Sequence, residues 1–414
     1  EDWGAASAAA DQLRPLVLVG NNLLAQGDSQ GAAAVFQAIA EAVQENYESV
    51  DDESGELAEL VRDCLAGLGR CLAAQQDAGP REDILQALFD VYQRDVDAGG
   101  YGMSDEVPEL ILEAASAEER LLVAGWVRAA LPHGTGWESN YRGQEYGRFL
   151  LALAEGILDD DAYLQICRDA GLEQELIERL LTLGRLDEAT TELQSAKDRS
   201  LLDLADLFVS QGQAETAERV VAAQATPAGN ASALEWLKKR ADARNDLPAA
   251  LELQERLFQE RSSLDDYLEL RRLAQQLGRW DALRPPLLAA LQGSGARRVL
   301  IQIHLAEGEI DAALEALRTA PPGVTVDMAL EVAQAAEATH PQTALDIYRR
   351  RAEWLIATRG RANYTSAARL LQKVRDLYRR LDDAGAWTRY LTDLRERTRS
   401  LRALKEELAT AGVS

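Results

Sequence analysis

A six-residue phrase that returns at nearly even intervals restricts the fold of this chain more than any other feature. Gly184-Arg-Leu-Asp187-Glu-Ala189 comes back as Gly212-Gln-Ala-Glu215-Thr-Ala217, Asn245-Asp-Leu-Pro248-Ala-Ala250 and Gly278-Arg-Trp-Asp281-Ala-Leu283. Two more copies follow, Gly308-Glu-Ile-Asp311-Ala-Ala313 and the degenerate Thr339-His-Pro-Gln342-Thr-Ala344. Their first positions stand 28, 33, 33, 30 and 31 residues apart, the period of stacked helical hairpins. Gly or Asn suits the left-handed residue that closes one helix, and the acid then falls in the first turn of the next, facing its dipole. The small Ala two residues later lets paired helices approach closely. Between junctions the apolar residues keep helical spacing, as in Leu264, Tyr267, Leu268, Ala274 and Leu277. Such hairpins bury their apolar faces only against neighbours, so the pattern predicts an all-α, right-handed superhelical solenoid of about nine to eleven hairpins, with a concave face for binding. An ordinary helical bundle is the competing reading, because helix ends favour Gly and Asp in any case.

Length alone would allow two or three globular domains in 414 residues, but a solenoid is not bound by that count. Three regions are expected: an acidic helical region over residues 1–135, the regular array over 136–344, and long helices over 345–414 that cap the array. Apolar runs are broken by charge well short of the roughly 20 residues of a membrane span, so a cytoplasmic protein without membrane association is expected. The first residue is Glu and no basic, then apolar, leader follows, which reads as a domain excised from a longer protein. Cys64 and Cys71 on one helix would lie about 10.5 Å apart along its axis, too far to share a disulfide or a metal. With Cys167 they read as buried thiols of a reducing compartment.

The net charge of -25 is unevenly spread. Residues 1–200 hold 39 acids against 14 bases, residues 201–414 hold 30 of each, and residues 349–405 hold 16 bases against 6 acids. An acidic first part and a basic last part suit weak head-to-tail self-association, screened by salt.

In chain order, Gly27-Asp-Ser-Gln30-Gly-Ala32 matches the junction, so the array is expected to begin near the N-terminus. Helices are expected over residues 29–47, 56–76 and 82–97. The acidic turn Asp51–Gly55 lacks calcium-loop spacing and reads as a cap for the next helix. Gly99-Gly-Tyr-Gly102 and Pro132-His-Gly-Thr-Gly-Trp137 are connectors around helices at 107–115 and 117–131, and no Lys-Ser or Lys-Thr makes either a phosphate loop. Asp159-Asp-Asp161 reads as an N-cap cluster rather than a metal site. Three long helices are expected at 345–358, 364–381 and 387–408.

His133, His304 and His340 are scattered, with no second ligand at metal spacing. No nucleophile motif or dinucleotide fingerprint is present, so a non-enzymatic protein without cofactor or metal is expected. One constellation remains: Arg349, Arg350, Arg351, Arg359, Arg361, Arg369, Lys373, Arg375, Arg379 and Arg380, interleaved with Tyr348, Trp354, Tyr364 and Tyr378. It could contact phosphates or another anion. Alternatively these charges pair within the chain, with Glu353, Asp376, Asp382, Asp383 or a neighbouring hairpin. Arg349 and Arg350 could not both face the same way as Arg351.

Several segments together resemble the long C-terminal helical region of bacterial SWIM-type zinc-finger proteins. They are Leu164-Gln-Ile-Cys-Arg-Asp-Ala-Gly171, Leu180-Leu-Thr-Leu-Gly-Arg-Leu-Asp-Glu-Ala189, Leu273-Ala-Gln-Gln-Leu-Gly-Arg-Trp-Asp-Ala-Leu-Arg284, Arg359-Gly-Arg-Ala-Asn-Tyr364 and Leu401-Arg-Ala-Leu-Lys-Glu-Glu-Leu408. The likeness covers residues 141–412 well and the acidic first third more loosely. In that family an upstream finger of two cysteines one residue apart, then a cysteine and a histidine, is thought to bind DNA or protein. No Cys-x-Cys occurs here, so the resemblance carries no metal ligand onto this chain. In period and junction chemistry the array is also similar to tetratricopeptide repeats, without the full side-chain pattern of that family in any copy. These likenesses imply a protein-binding scaffold, with a nucleic-acid-associated protein as the alternative.

Overall fold

The computed structural model describes residues 5–132, 137–225, 231–293, 296–320 and 326–413. The expected boundary near residue 135, most of the second Gly-rich connector and His133 lie outside them. Among the described residues there are 23 α-helices and no strand. The helices are α1 (Ala5–Ala25), α2 (Ser29–Asn46), α3 (Glu56–Ala74), α4 (Ala78–Asp97), α5 (Val107–Ala114), α6 (Ala117–Ala130), α7 (Trp137–Leu153) and α8 (Asp160–Ala170). Then come α9 (Glu173–Thr182), α10 (Leu186–Ser195), α11 (Asp198–Ser210), α12 (Ala214–Gln224), α13 (Ala231–Ala243), α14 (Leu247–Arg261), α15 (Leu264–Gln276) and α16 (Trp280–Gly293). The last are α17 (Arg297–Ala306), α18 (Ile310–Arg318), α19 (Val326–Ala336), α20 (Pro341–Thr358), α21 (Arg361–Arg380), α22 (Ala384–Arg397) and α23 (Arg402–Thr410). Backbone contacts divide the chain into two compact units, Glu1–Val220 and Val221–Ser414.

Within each unit most helices pack on the next, and several also reach the one after that, as α9 reaches α11 and as α15, α17 and α19 follow one another. This is the near-neighbour packing of an all-α repeat solenoid. The junction phrase is what turns the chain. Gly184, Gly212, Asn245, Gly278 and Gly308 all take positive φ, at 71°, 78°, 56°, 65° and 74°. The next residue's N–H then bonds the carbonyl five positions back, Arg185 to Leu180, Gln213 to Phe208, Asp246 to Ala241, Arg279 to Ala274 and Glu309 to His304, all at 2.8–2.9 Å. That reversed bond satisfies a carbonyl the helix end would leave orphaned. The alanines five residues after the turn, Ala189, Ala217, Ala250, Ala313 and Ala344, are wholly buried. The degenerate copy closes differently: the His340 N–H bonds the Ala336 carbonyl at 2.7 Å, and Thr339 is not left-handed.

The first unit holds a continuous apolar cluster from Ala6 to Ile166. Phe36 of α2 lies between Gly20 of α1 and Gly67 of α3, where an added Cβ would come within 2.7 Å of its ring on either side. Asp52 accepts from the N–H groups of Leu57 and Ala58, so the acidic turn caps α3. The Gly99–Gly102 connector wraps a buried carboxylate: Asp95 accepts from the N–H groups of Tyr101, Met103 and Ser104 and from the Ser104 hydroxyl. Asp159 caps α8 through the Ala162 N–H at 2.8 Å, and Asp160 and Asp161 pair with Arg179 and Arg185.

The expected single helix over residues 387–408 is two helices, α22 and α23, with Leu401 N–H bonded to the Thr398 carbonyl at 2.9 Å between them. The bend has an apolar cause. It returns Leu404, Leu408 and Val413 to a cluster with Tyr364, Ala367 and Leu371 of α21, which a straight helix would carry them past.

Candidate functional site

The basic constellation lies on α20 and α21, and the structure spends most of it on the chain's own acids. Arg349 faces Asp346 at 3.5 Å and lies over the Tyr390 ring. Arg361 reaches Glu407 at 3.0 Å. Lys373 donates to Glu337 at 3.0 Å and to the Tyr348 hydroxyl at 3.1 Å, and Arg380 stands 3.8 Å from the same Glu337. Arg375 and Arg379 share Asp376. Burial pushes the Glu337 carboxyl up, but the hydrogen bonds from Lys373 and Tyr348 outweigh it and hold it below the usual carboxylate range. The aromatics Tyr348, Tyr364 and Tyr378 are buried core, so they offer no stacking platform.

Four arginines of the constellation, Arg350, Arg351, Arg359 and Arg369, show no carboxylate within 4.0 Å among the described residues. Arg359 caps the C-terminal end of α20, and Arg369 is exposed on α21. Arg350 and Arg351 instead line a groove of ≈ 810 Å³ formed by α18, α19 and α20, inside the second unit. Its apolar side chains are Leu314, Leu317, Leu330, Ile347 and Trp354, and Trp354 is 53% exposed. The Arg351 guanidinium lies 4.2 Å from the Trp354 ring centre, the geometry of a cation over an aromatic face. Its Nε has no hydrogen-bond partner. The Arg350 Nε donates only to the Asp346 carbonyl, at 3.3 Å.

The other charged groups beside the groove have partners. Arg318 takes Glu315 bidentately at 2.6 and 2.8 Å, and Asp311 stands 2.9 Å from the His340 ring. The groove therefore combines an open apolar floor with two uncompensated cations, and can hold an apolar side chain next to an anion. The basic spacing pointed to α20, but the groove itself was not legible, because its floor comes from residues 314–330.

A second cluster escaped the sequence reading. Tyr267 donates to Glu307 at 2.8 Å, Arg284 donates to Glu307 at 3.0 Å and to Glu309 at 2.7 Å, and the His304 Nδ1 lies 2.8 Å from Glu309. Burial raises the Glu309 carboxyl, and His304 and Arg284 more than reverse this. His304 occupies the junction position filled by Leu180, Phe208, Ala241 and Ala274 in other copies. Each carboxylate has a cation and each other group an acceptor, so the cluster locks α15, α16 and the α17–α18 junction together.

Cys64, Cys71 and Cys167 are buried free thiols. Burial pushes them up to about 12, 11 and 12, which removes the thiolate that redox or nucleophilic chemistry needs. Among the described residues no His, Cys, Asp or Glu group could hold a metal ion, and no helix is long and apolar enough to cross a membrane.

No family model matches the chain. It is similar to a solved structure described as a circular tandem repeat protein with novel repeat topology and enhanced subunit contact surfaces, at 18% identity, TM-score 0.24, over 98% of this chain and 89% of that one. Over 71 residues it is 37% identical to the uncharacterized protein YwqB of Bacillus subtilis, a match that takes in 17% of this chain and 13% of that relative's length.

Proposed function

We propose that this chain is a non-enzymatic helical-repeat scaffold that binds other proteins, and that it is the helical part of a SWIM-type zinc-finger protein. The observation that carries the first statement is the open groove between α18, α19 and α20, where Trp354 stands 53% exposed beside Leu330 and Leu314. An exposed Trp flanked by aliphatic side chains and arginine is the composition of interface anchors. The nucleic-acid alternative draws less support, because Arg349, Arg361, Lys373, Arg375, Arg379 and Arg380 face the chain's own carboxylates.

The test is site-specific photo-crosslinking in cells that make the full-length protein. A photoreactive residue at Thr343, in the groove, is expected to give a discrete protein adduct, and one at the exposed Leu121 of α6 is the control. Adducts at neither position would sink the scaffold reading, and an adduct at Leu121 alone would move binding to another face. The zinc-finger assignment rests on the resemblance and is tested separately. The gene's reading frame must encode, upstream of Glu1, two cysteines one residue apart followed by a cysteine and a histidine.

A further inference from the structure

The groove's charge narrows what it can take, and this inference rests on the protein-binding reading above. Five charged side chains line it: Asp311, Glu315, Arg318, Arg350 and Arg351. Glu315 and Arg318 neutralise one another, and Asp311 is turned to His340. Of the two carboxylates nearest in sequence to Arg350, Asp346 serves Arg349 and Glu353 faces Arg397 at 4.0 Å. What remains is a pair of adjacent cations at the α20 wall, with the aliphatic floor beside them. The stacking of Arg351 on Trp354 fixes that guanidinium over the ring and leaves its terminal N–H groups without a carboxylate among the described residues.

We infer that the groove binds an acidic peptide segment of a partner protein, seating a bulky apolar side chain against Trp354, Leu330 and Leu314 and two carboxylates on Arg350 and Arg351. A neutral apolar peptide would leave both arginines partly desolvated without an anion, at a cost in affinity. A basic one would set like charges against Arg350 and Arg351. A nucleic-acid strand could use the two arginines but not the aliphatic floor. The volume lies in the range of sites that enclose a few side chains rather than a whole domain face, which suits a short segment.

A display library of random short peptides, selected on the intact chain, tests this directly. Enriched sequences are expected to join two or more Asp or Glu to Leu, Phe or Trp. An enriched peptide, labelled and titrated by fluorescence anisotropy, should lose about tenfold or more in affinity with R350E plus R351E, and a smaller factor with R350Q. It should also weaken with Trp354→Ala and with rising salt. R369E, at an exposed arginine outside the groove, should change affinity by less than about twofold, and circular dichroism melts check that each variant is folded. Neutral or basic enriched sequences, or acidic peptides whose binding ignores Arg350 and Arg351, would overturn the inference while leaving the scaffold reading intact. Failure to enrich any peptide also overturns it, and the Thr343 and Leu121 crosslinks then decide whether the scaffold reading falls too.

Discussion

The Arg81 guanidinium makes five hydrogen bonds: Nε and Nη2 to Glu119 at 2.7 and 3.0 Å, Nη1 to the Leu72 and Gln75 carbonyls at 2.6 and 3.0 Å, and Nη2 to the Ala114 carbonyl at 2.9 Å. One side chain on α4 thus satisfies the ends of α3 and α5 and the start of α6, with only 16% of its surface exposed. Arg81→Met leaves a half-buried carboxylate and three carbonyls without this donor, and should destabilise the first unit by about 3 kcal/mol in urea unfolding. The bidentate Arg81 contact, aided by the Ser116 N–H, holds Glu119 at about 2 against an ordinary 4.5. A depressed carboxyl contributes its stability in full above pH 4.5 and loses it as pH falls through about 2. Glu119→Gln should therefore cost roughly 2 kcal/mol at pH 7, and the gap to the native chain should close between pH 4.5 and 2. An unchanging gap would mean that shape, not charge, makes the contact. The caps at Asp52 and Asp159 were legible because capping acts within a few residues along the chain. Arg81 was not, since its partners lie up to 38 residues away and no local spacing marks them.

At the scale of helices and turns, the repeated phrase foretold both a shape and its chemistry. Gly212 takes φ 78°, and a Cβ added there would meet nothing within 4 Å, so only backbone conformation opposes a side chain at that position. Gly125, inside α6, also has nothing within 4 Å, but its φ is not positive. Gly212→Ala should cost about 1 kcal/mol, whereas Gly125→Ala should gain about 0.5–1 kcal/mol. Thermal melts of the two variants must therefore move in opposite directions. If both fall, the turn's left-handed residue is not what singles out Gly212. The reading of residues 387–408 as one helix failed for a complementary reason. Leu391, Leu394, Leu404 and Leu408 keep helical spacing throughout, and only the tertiary position of the α21 core decides that α23 must fold back. Likewise, Gly20 and Gly67 look like weak points of helices in sequence, and become clearance for the Phe36 ring in three dimensions.

Across the whole molecule the charge follows the two units. The first holds 43 acids against 15 bases and the second 26 against 29. The basic excess over residues 349–405 was plain in sequence, but its spending was not: Glu337 lies before that stretch and Glu407 after it. A chain of net charge -25 meets a polyanion poorly, and salt screens that repulsion beyond a Debye length of roughly 8 Å. If Arg350, Arg351, Arg359 and Arg369 all met phosphates of duplex DNA, counterion release would give a slope of about -3.6 in log affinity against log salt. Within the constellation that is an upper bound, because Arg349, Arg361, Lys373, Arg375, Arg379 and Arg380 would each first have to leave an internal ion pair. Titration of the intact chain with labelled duplex and single-stranded DNA should thus show no binding at about 150 mM salt, and at most weak binding at about 50 mM with a slope shallower than that bound. Tight binding at the higher salt, or a steeper slope, would mean that Arg361, Lys373 and Arg380 leave their carboxylates for phosphate. The basic helices would then be the working surface, and the groove at Trp354 would be secondary to them.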